Sequence, residues 1–374
     1  MTETRHLYVH VPFCSRRCSY CDFSIAVRSQ VPVAEYVSAI SAELEARLKS
    51  TPIGPLSTLY LGGGTPTKLG AAGIAQLFSS LSSQSFDISP DTEITVEANP
   101  EELHDDALIA ALRDAGVNRV SLGVQSFDQS VLTWMHRGHT SEMVRQAFNK
   151  LRDAGINDIS LDLIFSLPGE LQRDWTSDLE QALALNPTHI SLYGLTVEPH
   201  TPLGRWQARG EVTLAPDERY AEEFLEASRT LQSAGFDHYE VSNFGLPGHE
   251  SRHNSAYWRR VPYLGIGPSA HSFDGASRRW NDRAYSHWLQ HANAGSDPLE
   301  GVETLAADQI VAEEVYLGLR TSRGLREHPD DAAVLAVWER AGWASRRDGH
   351  IYISTEGWLR LDSLAADLTA ARSR

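Results

Sequence analysis

Six short apolar runs, each separated from the next by a helical pattern, govern the first half of this chain. Leu7-Tyr8-Val9-His10-Val11 alternates and stops at Pro12, the signature of a strand end. Thr58–Leu61, Ile94–Ala98, Arg119–Val124, Ile159–Ile164 and His189–Tyr193 read as the next five strands. Between the first two, Val33, Tyr36, Val37, Ile40, Leu44 and Leu48 recur at helical spacing and mark a helix over 32–49. Further helices are expected over 71–81, 105–115, 141–154 and 171–185. Two of them end in echoing phrases, Arg113-Asp114-Ala115-Gly116-Val117 and Arg152-Asp153-Ala154-Gly155-Ile156, each glycine placed as a left-handed stop. Strands that alternate with helices join a parallel sheet, so the chain is predicted to be α/β. Six units are too few to close an eight-stranded barrel, which points to an open, TIM-like partial (β/α)6 barrel. In such folds the working residues stand at the C-terminal strand ends.

After Tyr193 the beat changes. A helix over 216–234 and a strand over 237–241 lead into 243–282, rich in Gly, His, Asn, Tyr and Trp and read as loops with short strands. Helices follow over 304–319 and 332–341. A hairpin turning at Asp348-Gly349 comes next, then a last helix over 356–371. The predicted division is a partial barrel over 1–240, a connecting region over 241–300 and a small winged-helix-like α+β domain over 301–374. Lys+Arg total 33 against 49 Asp+Glu, a net charge of −16 that argues against broad nucleic-acid binding. The start, Met1-Thr2-Glu3-Thr4-Arg5-His6, lacks an apolar leader, and no run of eighteen apolar residues occurs. A cytoplasmic protein with no integral membrane segment is expected. The sequence leaves a homodimer open.

All three cysteines of the 374 residues fall in one stretch, Cys14-Ser15-Arg16-Arg17-Cys18-Ser19-Tyr20-Cys21. Three thiols cannot all pair, and disulfides between residues this close would be strained. Clustered thiolates suit a soft metal centre. Zinc sites take four ligands, usually as two separated pairs, and there is no second pair here. A four-iron cluster on three thiolates would keep one iron free of protein ligands and open to a cofactor. A zinc-structured scaffold and incidental buried thiols remain the alternatives.

Other polar residues stand at the strand ends. Gly62-Gly63-Gly64-Thr65 lets backbone amides approach a ligand, although a tight strand-to-helix turn would explain it too. It is neither a Walker loop nor a dinucleotide fingerprint. Glu97, Gln125 and Asp162 end three consecutive strands, and Arg137 follows in a loop. Singly a strand-end Asp or Glu reads as a cap or a surface charge and a loop Arg as solvated; three polar residues ending three consecutive parallel strands are harder to dismiss.

C-x3-C-x2-C with Tyr20 before the last cysteine resembles the signature of the radical S-adenosylmethionine (SAM) superfamily. The resemblance implies a four-iron four-sulfur ([4Fe-4S]) cluster on Cys14, Cys18 and Cys21, with SAM chelated at the open iron. Gly-Gly-Gly-Thr-Pro-Thr and the run Leu7–Cys14 are narrower: they resemble the oxygen-independent coproporphyrinogen III oxidases and their relatives over roughly residues 6–285. That likeness implies that Tyr8, Gly63, Gly64, Thr65, Glu97, Gln125, Arg137 and Asp162 shape the SAM pocket.

Two branches of that family compete. The oxidases continue the motif as Cys-x-Cys, where this chain has Phe23, and carry a longer segment before the cluster. His253-Asn254-Ser255-Ala256-Tyr257-Trp258 resembles the H-N-x-x-Y-W motif of the heme chaperones of the HemW type. This likeness implies heme as cargo and heme-accepting proteins, respiratory ones among them, as partners. His253 is of a type that ligates heme iron, and Tyr257 and Trp258 offer faces to a porphyrin. A structural role for His253 stays open, His249, His271 and His200 are rivals, and a coproporphyrinogen III dehydrogenase is the alternative function.

Overall fold

Alternation along the strands decides the architecture of the computed structural model, which describes residues 3–84 and 86–373; the first two residues of the expected leaderless start lie outside them. In β1 (Thr4–Val11) Leu7, Val9 and Val11 are fully buried among the apolar residues of the flanking helices. His6, Tyr8 and His10 occupy the other face. The same division holds for β2 (Ile53–Gly63), β3 (Glu93–Ala98), β4 (Arg119–Gln125), β5 (Asp158–Phe165) and β6 (His189–Gly194). Leu59, Leu61, Val96, Val120, Leu122, Ile159, Leu161 and Ile190 pack outward against helices, each contributing roughly 1.5–3 kcal/mol. The inward face is polar, an unusual filling that is stable only because its groups bond one another.

The helices lie where the spacing predicts them, over Val33–Leu48, Gly70–Ser82, Asp106–Asp114, Ser141–Asp153 and Trp175–Ala184. Asp105, Thr140 and Asp174 cap three of them through bonds to backbone amides. Gly116 and Gly155 take the left-handed conformation (φ 79° and 88°) as stops.

The sheet is wider than six strands. Its nine run β9-β1-β2-β3-β4-β5-β6-β8-β7, with β7 at Asp237–Glu240, β8 at Asn243–Gly245 and β9 at Leu264–Ile266. From β9 to β6 all neighbours are parallel, while β8 is antiparallel to both β6 and β7. Among the described residues the edge strands β9 and β7 do not pair, so the barrel stays open.

Two local expectations change, while the short strands expected within 243–282 are present. Within 243–282 the structure has a helix, Arg252–Trp258, where loops were expected. A three-stranded sheet (His271–Phe273, Ser277–Asn281, Leu299–Thr304) and a helix at Tyr285–Asn293 follow. The last helix is two pieces, Thr355–Trp358 and Leu361–Arg372, separated at Arg360 (φ −121°). The hairpin Ala344–Arg347/His350–Ile353 does turn at Asp348 and Gly349, both with positive φ as a two-residue turn requires. These last elements attach to β7: Arg320 pairs with the buried Glu240 at 2.8 Å, and Trp358 packs on His238.

Candidate functional site

Parallel strands end on one side, so the segments leaving β1 to β6 surround a common space. They enclose a cavity of about 530 Å³. It is lined by Cys14, Cys18, Tyr20, Cys21, Gly63, Gly64, Thr65, Glu97, Gln125, Arg137 and Asp162. Residues separated by up to 148 positions in the chain, Cys14 to Asp162, thus meet at one place. A second hollow, of about 790 Å³, lies outside between the helices Gly70–Ser82 and Asp106–Asp114; its described lining is mostly apolar or hydroxylic, with Asn118 an amide and Asp114 the one charged residue.

The cysteine loop is pinned by backbone bonds. Ala26 N–H donates to Pro12 O (2.7 Å), Arg28 N–H to Cys14 O (3.0 Å), and Ser19 N–H to Met135 O (3.1 Å). The three thiols are unpaired and half-buried. Cys14 Sγ lies 3.6 Å from Thr65 Oγ1, and Arg137 Nη1 lies 3.6 Å from Cys18 Sγ. Burial pushes the Cys14 thiol up to about 12 and raises that of Cys21. Thiols raised in this way, as at Cys14 and Cys21, favour the thiolate only beside a strong positive charge, which a metal centre supplies. Among the described residues no three His, Cys, Asp or Glu side chains converge as ligands of a single ion. Three free sulfurs around one cavity, with a guanidinium beside them, fit a larger cluster that the thiolates hold at its corners.

The glycine turn exists for close approach. Gly63 has φ 108°, and a Cβ on Gly64 would stand 2.7 Å from the Pro12 carbonyl. Gly63 N–H donates to Glu97 Oε2 and Tyr60 O–H to Glu97 Oε1, both at 2.9 Å. Burial nevertheless pushes Glu97 up to about 7. Asp162 accepts from Ser121 Oγ at 3.0 Å, yet burial pushes it up to about 6. The cavity thus holds two carboxyls poised to ionise when a cationic ligand arrives.

Gln125 reaches the cavity through an irregularity. It has φ 69°, and the pairing of β4 with β5 slips between Gly123 and Gln125. Arg137 is no solvated loop residue. Nη2 donates to Asn99 Oδ1 (2.6 Å) and Gly123 O (2.7 Å), while Nε has no partner. Burial alone would lower it, but Tyr20, Cys18 and Glu101 around it outweigh that and raise it.

Tyr8 and His253 are elsewhere. Tyr8 lies one layer below the cavity, stacked on Tyr60 at 6.0 Å and bonded to His10 Nδ1 at 3.2 Å. His253 is 1% exposed inside the barrel. Its Nδ1 bonds Thr58 Oγ1 at 2.6 Å and its Nε2 bonds Tyr257 O–H at 2.8 Å. Burial pushes it down to about 3, so it is neutral. Glu93 accepts the amides of Arg252 and His253, both at 2.8 Å, and so fixes the helix N-terminus. Trp258 lies under the Arg320 guanidinium at 4.3 Å. The six-residue motif is therefore packed as a plug, and the structure does not bring His253 to the cavity. His200, His249 and His271 do not line it either.

Sequence reasoning missed Asn99, which ties Thr65 (3.0 Å) to Arg137, and Ser121, the partner of Asp162. Asn99 carried a signal, since it stands two residues beyond Glu97. Ser121 carried none.

A family model described as the radical SAM superfamily matches residues 8–182. The protein named heme chaperone HemW in Synechocystis sp. is 38% identical over 85% of this chain and 78% of its own length. That of Lactococcus lactis is 38% identical over 85% and 82%. In Escherichia coli the protein of that name is 36% identical over 71% of this chain and 69% of its own. Among solved structures, coproporphyrinogen III oxidase from Escherichia coli, a radical SAM enzyme, shares the fold over 98% of this chain with a TM-score of 0.82 at 23% identity. Membership of the superfamily implies a [4Fe-4S] cluster and SAM, for which the cavity provides the sulfurs and the polar walls. By its sequence, its parallel open barrel and this cavity, the chain belongs to the radical SAM superfamily and, within it, to the HemW family.

Proposed function

We propose that the chain is a heme chaperone: it binds heme and releases it to acceptor proteins, respiratory ones among them, in a reducing, cytoplasmic setting. The observation that carries this reading is the cavity with three sulfurs, in a chain whose 38%-identical relatives bear the name heme chaperone. Phe23, in the position where the oxidases continue the motif with a further cysteine, supports the chaperone branch over the oxidase branch. The described helices include none long and apolar enough to cross a membrane.

In this reading Cys14, Cys18 and Cys21 hold the cluster, whose bound form can supply one-electron chemistry to SAM. Arg137 stands beside Cys18 and steadies negative charge on its sulfur. Glu97 and Asp162 accept the positive charge of SAM, and the Gly63–Thr65 turn brings backbone against it. Gln125 and Asn99 orient polar edges, and Tyr8 supports this floor through Tyr60.

The test is anaerobic. Full-length protein reconstituted with iron and sulfide is titrated with hemin, then mixed with an apo-acceptor hemoprotein. Saturable binding followed by transfer is the expected result. Conversion of coproporphyrinogen III to protoporphyrinogen IX, with SAM and a reductant present, would establish the oxidase instead. Zinc without iron in the purified protein would establish a scaffold.

A further inference from the structure

We propose that His136, at the mouth of the cluster cavity, is the axial ligand for heme iron, and that Trp206 and Trp134 form the wall against which the porphyrin lies. The proposal rests on the heme-chaperone reading and names the part of the chain that would take the cargo.

The motif histidine cannot serve without dismantling its surroundings. Both nitrogens of His253 are bonded, at 2.6 and 2.8 Å, and the ring is buried beneath Tyr8 and Tyr60. An iron ligand needs a free nitrogen and room for a flat macrocycle. Among the described residues, His136 is the histidine that lines the cavity; its side chain is exposed, and neither ring nitrogen has a hydrogen-bond partner there. It has φ 58°, a conformation that a non-glycine residue adopts at a cost of order 1 kcal/mol or more. The conformation holds the imidazole at the opening.

The two tryptophans stand beside it, half-buried and just outside the residues that line the cavity. The Trp206 ring lies 5.5 Å from that of His136 at an interplanar angle of 82°, and Trp134 lies 5.8 Å from Trp206. An axial imidazole stands perpendicular to the porphyrin, whereas a stacking indole lies parallel to it. The two rings already have the relation those two roles demand. Among the other residues lining the cavity, Phe23 is 64% exposed and Tyr193 45%, among the most exposed large apolar side chains described. Phe23 and Tyr193, left in water beside the half-buried Trp206, mark a surface suited to a large flat apolar ligand.

This wall and the cysteine loop share one frame. Ser19 N–H, inside the loop, donates to Met135 O, the residue before His136, at 3.1 Å. Leu203 N–H, at the head of the helix Pro202–Ala208 that carries Trp206, donates to Ser19 O at 2.9 Å. Arg137, the residue after His136, reaches Cys18 Sγ. The heme wall is thereby fastened to the cluster ligands through a few bonds, so cargo and cluster would sense each other.

The experiment is a hemin titration of full-length, anaerobically reconstituted protein, followed by absorbance and electron paramagnetic resonance. Wild type should bind saturably with a histidine-ligated spectrum. His136→Gly, which suits a left-handed position, should keep its iron and sulfide content, lose the histidine signature and bind at least about tenfold more weakly. Added imidazole should restore the signature. Trp206→Ala should weaken binding while the ligand signature persists. A His136→Gly protein with wild-type affinity and spectrum would overturn the assignment. Wild-type protein that fails to bind hemin saturably would instead overturn the chaperone reading beneath it.

Discussion

The inside of the barrel has two layers, and the same strands build both. In the lower layer polar groups are spent on one another. Arg119 pairs with Asp158 at 2.7 Å, Ser160 bonds His189 at 2.7 Å, His189 bonds Tyr239 at 2.8 Å, and His253 is held on both sides. In the upper layer the carboxyls are bonded too, Glu97 by Tyr60 and Gly63 and Asp162 by Ser121, but among the described residues they have no cation beside them. Glu97 and Asp162 are held well above the usual carboxylate range by burial, Arg137 Nε is unpartnered, and Gln125 has a strained backbone. A layer of mutually paired groups rigidifies a fold, whereas buried carboxyls without a cation and a strained backbone cost stability until a ligand compensates. The lower layer is scaffold, and the upper is the half of a site that a ligand finishes.

The comparison is broken most severely at the sulfurs. Cys18→Ser should abolish the cluster while leaving the fold, read as loss of iron–sulfur absorbance with unchanged far-ultraviolet circular dichroism. Next in size comes the plug. His253→Ala strands the Tyr257 hydroxyl in the interior and leaves Thr58 bonded only to His6 Nδ1, and a loss of about 1–3 kcal/mol in urea unfolding is expected, with the heme-iron signature intact in the folded fraction. A stable variant with an altered heme spectrum would return the motif to the binding site. Asp162→Asn should do the reverse: thermal stability at pH 8 held or raised, SAM affinity reduced about tenfold by calorimetry.

The smallest effect is a pH dependence. Glu97 sits at about 7 when folded against 4.5 ordinarily, so the folded state holds the extra proton between those values. Its contribution to stability therefore falls as pH rises through that window, by up to about 3 kcal/mol. SAM carries a net positive charge, which favours the ionised carboxyl. SAM binding should tighten from pH 6 to 8 and release a proton, and Glu97→Gln should flatten the profile. A flat wild-type profile would contradict this assignment of charge.

Much of this was legible beforehand, for physical reasons. Strand and helix periodicity is local, so β1 to β6 and their helices could be read directly. The cysteine triad and Glu97, Gln125 and Asp162 were visible as chemistry at strand ends. What escaped depends on distant partners. The helix Arg252–Trp258 has no apolar period, and its N-terminus is fixed by Glu93, 160 positions from His253. Strand β9 is three residues with a central glycine, held in the sheet by β1. The His136 site is invisible in sequence because its aromatic partner, Trp206, comes from a separate helix beyond β6, 70 positions away.

The central claim is that three thiolates hold a cluster with one iron left for SAM. Mössbauer spectroscopy of anaerobically reconstituted, iron-57-labelled protein, with and without SAM, tests it most directly. The account expects one iron of the four to change its isomer shift and quadrupole splitting when SAM is added, and Asp162→Asn to require more SAM for the same change. Four irons indifferent to saturating SAM, or a preparation with no cluster at all, would contradict it.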